Sequence, residues 1–107
     1  MKILIIDDQR CSREIMTKFL KGNIIDDADC VKTAKPKFEN NEYDLILCDL
    51  FMPELDGLEC LDLVRASKNS ATPFLLTTGN SDPKIIKKLP QSLAKNIVIS
   101  IIVIILL

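Results

Sequence analysis

Asp7 and Asp8 follow the apolar run Ile3-Leu4-Ile5-Ile6, Asp49 follows Leu45-Ile46-Leu47-Cys48, and Thr77 and Thr78 follow Phe74-Leu75-Leu76. If the three runs are neighbouring parallel strands, these polar ends share one edge of a sheet, the edge at which open α/β sheets bind ligands. Three carboxylates drawn together repel one another. A hard divalent cation with oxygen ligands compensates them best, and Mg²⁺ fits that description. A metal beside a hydroxyl points to phosphate chemistry.

Asp49 is the residue expected to carry the reaction. It opens the segment Leu50-Phe51-Met52-Pro53-Glu54-Leu55-Asp56-Gly57, in which Pro53 sets a turn and Gly57 permits a tight entry into the next helix. Such a loop can bring the backbone carbonyl of Phe51 to a metal as a further oxygen ligand. A strand-end aspartate alone reads as an ordinary turn cap; with Asp7-Asp8 upstream it reads as part of a site. Of Thr77 and Thr78, strand alternation points one into the site and the other to a face, without saying which.

These residues need elements to hold them. After Asp7-Asp8, Ile15, Met16, Phe19 and Leu20 fall on one helical face, and Gly22 is a plausible stop. A short apolar run at Ile24-Ile25 follows. Val31 to Asn40 suits a second helix through Ala34 and Phe38, with Pro36 tolerable only in a first turn. Leu58, Leu61 and Val64 continue a third helical pattern from Gly57 that ends near the polar stretch Ser67 to Ser70, and Pro73 leads into the strand Phe74 to Thr77. Ser81 or Asp82 before Pro83 is a helix start, and Pro90 ends or kinks that helix. The chain closes with Ile97-Val98-Ile99-Ser100 and the unbroken run Ile101 to Leu107, β-branched and apolar like a buried strand. The alternation β-α-β-α-β-α-β-α-β predicts an α/β fold, a parallel sheet with helices on both faces.

At 107 residues the chain has room for one core, so residues 1–107 are expected to form a single domain. A net charge of −1 gives no basic surface for nucleic acid. Cys11, Cys30, Cys48 and Cys60 are scattered with no Cys-x-x-Cys pair, and no histidine is present to complete a zinc site, so buried free thiols in a reducing cytoplasm are expected. The apolar start is too short for a signal-peptide core, and the closing run is well short of the ~20 residues of a membrane helix.

Asp7-Asp8 after the first strand, Asp49 with Met52-Pro53 and Asp56-Gly57, and Thr78-Gly79 after the fourth strand resemble the receiver domain of two-component response regulators. The resemblance covers Met1 to about Lys88 and weakens from Leu89 onward. It implies a flavodoxin-like, doubly wound, five-stranded parallel sheet. It also implies a switch in which Asp49 accepts a phosphoryl group from a phosphohistidine, Asp8 and Asp49 ligate Mg²⁺ directly, and Asp7 does so through water. Thr78 is implied as the hydroxyl that binds a phosphoryl oxygen, and Gly79 as the small residue that leaves room for it. Because the chain has no histidine, the donor is a separate histidine kinase or phosphotransfer protein, or a small acyl phosphate.

Receiver domains carry a lysine at the end of the fifth strand, and the family's spacing from Thr78 lands on Ser100-Ile101; no lysine follows Lys95, and Ile97 stands where an aromatic switch residue is usual. Three carboxylates with one Mg²⁺ leave a formal −1, and a phosphoryl group adds about −1.5 to −2 more. An ammonium at ~4 Å contributes a few kcal/mol at an effective dielectric of ~20 before desolvation. Its loss is expected to impair phosphorylation more than metal binding. The fifth helix is expected to be missing or replaced, because Ile102 to Leu107 has no polar face. That tail is either native, exposing apolar surface prone to self-association, or the product of a shifted frame or truncation, which the abrupt change in composition favours. Two functions compete: a phosphoacceptor receiver, not an enzyme, and a degenerate receiver that acts by binding partners without phosphorylation. An aspartate-nucleophile phosphatase ranks third, since Phe51 stands where such enzymes place a second acid.

Overall fold

A computed structural model describes residues 1–77. Among these residues the apolar runs become strands: β1 (Lys2–Ile6), β2 (Ile24–Ala28), β3 (Leu45–Asp49) and β4 (Phe74–Thr77), with α1 (Arg10–Phe19), α2 (Val31–Asn40) and α3 (Gly57–Arg65) between them. Parallel strands cannot be joined by a hairpin, so each crossover carries a helix. The strands pair in the order β2-β1-β3-β4. The chain moves outward from β1 to β2 and then returns past β1 to β3, so the direction of winding reverses between β1 and β3. That reversal is where an open α/β sheet leaves a crevice at the carboxyl ends of its strands.

Both faces of the sheet are covered, which is why β1 and β3 carry unbroken apolar runs, Ile3-Leu4-Ile5-Ile6 and Leu45-Ile46-Leu47-Cys48, rather than alternating. Leu4, Ile6, Ile46, Cys48, Phe74 and Leu76 pack with Val31, Ala34 and Phe38 of α2 and Cys60, Leu61 and Val64 of α3. The alternate residues Ile3, Ile5 and Leu47 pack with Met16 of α1, with Leu20, Ile25, Leu45 and Leu75 at the margin. Below the sheet, fully buried Asn69 joins two loops. Its amide donates to the carbonyls of Phe38 and Asn41 at 2.6 and 2.8 Å, and its Oδ1 accepts from the Tyr43 N–H at 2.8 Å and the Thr72 hydroxyl at 3.0 Å.

Several expectations need correction. Phe19, placed by its spacing on the buried face of α1, is 80% exposed: the inward stripe runs through Met16 to Leu20, which packs at the margin of the cluster, and Phe19 falls on the solvent side of it. Pro36 lies well inside α2 and not in its first turn, which leaves the Lys32 carbonyl without the amide partner a helix normally supplies. Both residues are on the solvent side, where water can take that place. β2 runs past Ile24-Ile25 through Asp26 and Asp27, as an edge strand allows: Asp26 accepts from the Tyr43 hydroxyl at 2.7 Å, and Asp27 pairs with Arg13 at 3.0 Å. All four cysteines are free, but only Cys48 and Cys60 are buried; Cys11 is exposed on the first turn of α1, and Cys30, just ahead of α2, is partly so. Among the described residues no helix is long and apolar enough to cross a membrane. Thr78, Gly79, the expected helix from Ser81 or Asp82, the break at Pro90, the fifth strand with Ser100, and the tail 101–107 lie outside the described residues.

Candidate metal and phosphoacceptor site

The crevice between β1 and β3 holds the acids that the strand ends predicted. Pairing of Ile6 with Cys48 brings Asp7, the next residue after β1, alongside Asp49, the last residue of β3. One carboxylate oxygen each from Asp7, Asp8 and Asp49 lies within 4.8 Å of the others. Asp7 is buried, Asp49 half-buried and Asp8 exposed, so the cluster opens to solvent on one side. Among the described residues no other group of three or more acids, cysteines or histidines comes together in this way.

Burial pushes the Asp49 carboxyl up to about 6; the charge of Asp7 adds to this, the Phe51 N–H opposes it, and Asp8 adds a further repulsion. Burial also raises Asp7, against a backbone hydrogen bond from Gln9, with Asp8 raising it and Arg13 lowering it. Burial and mutual repulsion both disfavour the charged forms of these neighbouring carboxylates, a cost that a bound cation would offset. The donor set is all oxygen, arranged around an open position, and it fits a hard ion such as Mg²⁺ better than a thiol- or imidazole-seeking metal. Asp7, Asp8 and Asp49 are the residues that would hold it.

The loop after β3 is built to keep Asp49 in place. The Phe51 N–H donates to Asp49 Oδ1 at 3.3 Å, and the Leu50 N–H reaches the Thr77 carbonyl at 2.8 Å. Pro53 opens a tight turn closed by the Leu55 N–H on the Pro53 carbonyl at 2.9 Å, with Glu54 at φ 69 at its centre. A non-glycine residue in that region is strained. Asp56 is not a fourth acid of the site. It caps α3, accepting from the Glu59 N–H at 2.9 Å, while the Glu59 carboxylate accepts from the Asp56 N–H at 3.3 Å, a reciprocal capping box. Gly57 has an ordinary φ, and its need is space. A Cβ there would stand 2.7 Å from the Asp49 carbonyl oxygen and 2.7 Å from Leu76 Cδ2.

Thr77 pairs in register with Asp49 and is buried. Phe74 and Leu76 face α2 and α3 while Leu75 faces α1, so alternation puts Thr77 on the α1 side of β4. Thr78 is the next residue, outside the described part, and the choice between the two hydroxyls rests on the resemblance. Phe51 is 46% exposed beside Asp49, its backbone tied to the acid through its own N–H.

Two charged residues beside the acids escaped sequence reasoning. Arg13 Nη1 donates to the Asp7 carbonyl at 2.7 Å, and its Nε donates to Asp27 Oδ2 at 3.0 Å. The available signal was a lone arginine between Ser12 and Met16 on the inward side of α1, where an apolar residue is expected.

A family model described as response regulator receiver domain matches residues 3–99, which carries the likeness past Leu89 and ends it just before Ser100. The transcriptional regulatory protein YdfI of Bacillus subtilis is 36% identical over 85 residues, covering 76% of this chain and 39% of that protein. Response regulator ArlR of Staphylococcus saprophyticus is 39% identical over 85 residues, covering 76% of this chain and 37% of that protein. The chain thus spans less than two fifths of the length of these curated relatives. Among solved structures, the response regulator protein TrrA of Thermotoga maritima, in complex with Mg²⁺-BeF, is 32% identical. It superimposes with a TM-score of 0.72, covering 82% of this chain and 76% of that one.

Proposed function

The chain belongs to the response regulator receiver domain family, and from that premise we propose that it is the phosphoacceptor module of a two-component phosphorelay, with Asp49 as the acceptor. The observation that supports this most is the convergence of Asp7, Asp8 and Asp49 within 4.8 Å at the open switch point between β1 and β3. Bound Mg²⁺ supplies charge neutralisation for the acids and the incoming phosphoryl group. The chain's own residues do the positioning. Asp7 and Asp8 on one loop face Asp49 on the other, Gly57 lets α3 approach the Asp49 backbone, and the Phe51 N–H orients the acceptor carboxylate. We assign the Phe51 carbonyl as a further metal ligand and the Thr78 hydroxyl as the donor to a phosphoryl oxygen.

In the transfer, an Asp49 carboxylate oxygen bonds to phosphorus as the bond from phosphorus to the donor's histidine nitrogen breaks, and the freed imidazole takes up a proton. The half-buried position of Asp49 suits this: the carboxylate is reachable from one side, and dipoles already in place reduce reorganisation. The partner is a histidine kinase or phosphotransfer protein, as receiver domains require, and a cytoplasmic setting follows from that partner.

A second reading, a degenerate receiver that binds partners without phosphorylation, is favoured by one observation: no lysine follows Lys95. The test is labelling with acetyl phosphate and with a phosphohistidine donor. The first reading expects weak, Mg²⁺-dependent labelling that Asp49→Asn abolishes and Ser100→Lys strengthens. Strong wild-type labelling that Ser100→Lys does not raise would mean that the lysine is dispensable here. Weak wild-type labelling that a folded Ser100→Lys does not raise would remove Ser100 from the site, and no labelling of either would favour the second reading.

A further inference from the structure

We propose that Arg13, held by Asp27, is a positioning residue that sets the Asp7–Asp8 peptide so that both carboxylates meet Asp49. This rests on the metal-site reading above and extends it to two residues that ligate nothing. Asp7 and Asp8 are adjacent in sequence, so the orientation of the one peptide between them decides whether both carboxylates face the third acid. Three mutually repelling carboxylates push that loop outward. What opposes the push is a set of anchors on Asp7. Its N–H donates to the Ala28 carbonyl of β2 at 3.1 Å, its Oδ1 accepts from the Gln9 N–H at 2.9 Å, and its carbonyl accepts from Arg13 at 2.7 Å.

The Arg13 contact differs from the other two in coming from a side chain on α1 that is itself fixed. Its side chain is only 16% exposed, and Nε is engaged by Asp27, which sits on β2 opposite Ile5 of β1. Asp27 is steadied in turn, its backbone carbonyl accepting from Lys37 Nζ of α2. A planar guanidinium can donate to a carbonyl and a carboxylate at once in fixed directions, which an ammonium does less well. Arg13 makes its direct ion pair with Asp27 and meets Asp7 through the backbone carbonyl, so it braces the loop without occupying a carboxylate oxygen that a cation would need, while its charge still favours the ionised Asp7. The result is a brace running from α2 through β2 and α1 to the acidic loop. Arg10, by contrast, pairs with Glu14 on the open side of α1, with side chains 84% and 57% exposed, and makes a natural control.

The test is Mg²⁺ affinity of the full chain by calorimetry, alongside the thermal midpoint of each variant without metal. Arg13→Gln should weaken Mg²⁺ binding about tenfold or more, in the range found when groups that orient metal ligands are removed. Arg13→Lys should recover part of the loss. Asp27→Asn should weaken binding less than Arg13→Gln, and the double variant should be no worse than Arg13→Gln alone, as expected of one unit. Arg10→Gln should bind as wild type does. If Arg13→Gln does not fold, Arg13→Lys and Asp27→Asn still decide the matter, each expected to bind Mg²⁺ more weakly while keeping a near-native midpoint. The proposal is overturned if the folded Arg13 and Asp27 variants bind within twofold of wild type, or if losses across all variants, Arg10→Gln included, simply follow losses in thermal stability. Wild type that fails to bind Mg²⁺ would overturn the metal reading and this inference together; wild type that binds, with Arg13 variants that bind equally well, would overturn this inference alone.

Discussion

The Asp49 carboxyl, pushed up to about 6 by burial and by the charge of Asp7, makes the site readable by pH. Its folded pKa lies above that of an unfolded aspartate, so between the ordinary carboxylate range and about 6 the folded chain binds more protons than the unfolded one. Stability from this group is therefore present at low pH and is lost as pH rises through about 6. Asp7, raised in the same direction, adds to the slope. The metal-free protein should melt at a lower temperature at about pH 7 than at about pH 5, and saturating Mg²⁺ should restore the difference by compensating the ionised acids. Mg²⁺ affinity should fall as pH drops below about 6, because protons then compete for the same oxygens. In Asp49→Asn the pH slope should flatten and Mg²⁺ binding should vanish. A variant that keeps wild-type Mg²⁺ affinity in a titration would remove Asp49 from the metal site.

The segment from β3 to α3 does most of the positioning, and its residues divide the work. Asp56 and Glu59 close the start of α3, Glu54 absorbs the strain of the turn after Pro53, and Gly57 brings the helix against the Asp49 backbone. The last of these predicts a measurable penalty. In Gly57→Ala the new methyl group would stand 2.7 Å from a backbone oxygen that cannot rotate away, so α3 or the end of β3 must move. The cost should be about 1–3 kcal/mol in a denaturant titration, as for overpacking elsewhere. Mg²⁺ affinity should drop with it, since the atom displaced belongs to Asp49. A Gly57→Ala protein as stable and as metal-competent as wild type would show that the loop has slack the close contact does not suggest.

At the scale of the molecule, the reversal of winding between β1 and β3 gathers the acids, and the two faces of the sheet are covered unequally. Among the described elements, α2 and α3 lie over one face and α1 alone over the other, with Leu45 and Leu75 at the margin of the α1 cluster and Phe19 exposed beside it. The sequence beyond the described residues ends in the uncharged run Ile101 to Leu107, a composition with high β-propensity and no gatekeeping charge. Deleting residues 102–107 should reduce the apparent mass in light scattering or raise solubility. A protein with residues 102–107 intact that stays a sharp monomer at high concentration would contradict a self-associating tail.

Strand ends, turn chemistry and helical spacing are local properties, and they were legible residue by residue. Asp7, Asp8 and Asp49 could be chosen as ligands because each closes an apolar run, and the Asp49 loop could be read from Pro53 and Gly57. Periodicity identifies a strand without saying which strand lies beside it, so the meeting of Asp7 with Asp49 waited for the order β2-β1-β3-β4. Phe19 carried the right spacing for the core, yet the inward stripe of α1 passes through Met16 and Leu20 and leaves Phe19 in solvent. Pro36 broke a helical rule that the packing of Val31, Ala34 and Phe38 was strong enough to override. Arg13 looked like one more charge on a helix because its two acceptors, the Asp7 carbonyl and the Asp27 carboxylate, lie six and fourteen residues away and meet only when α1 packs across β1 and β2. The types of the reacting groups were set locally along the chain, whereas the distances between them depend on contacts among separate segments, which only the folded backbone supplies.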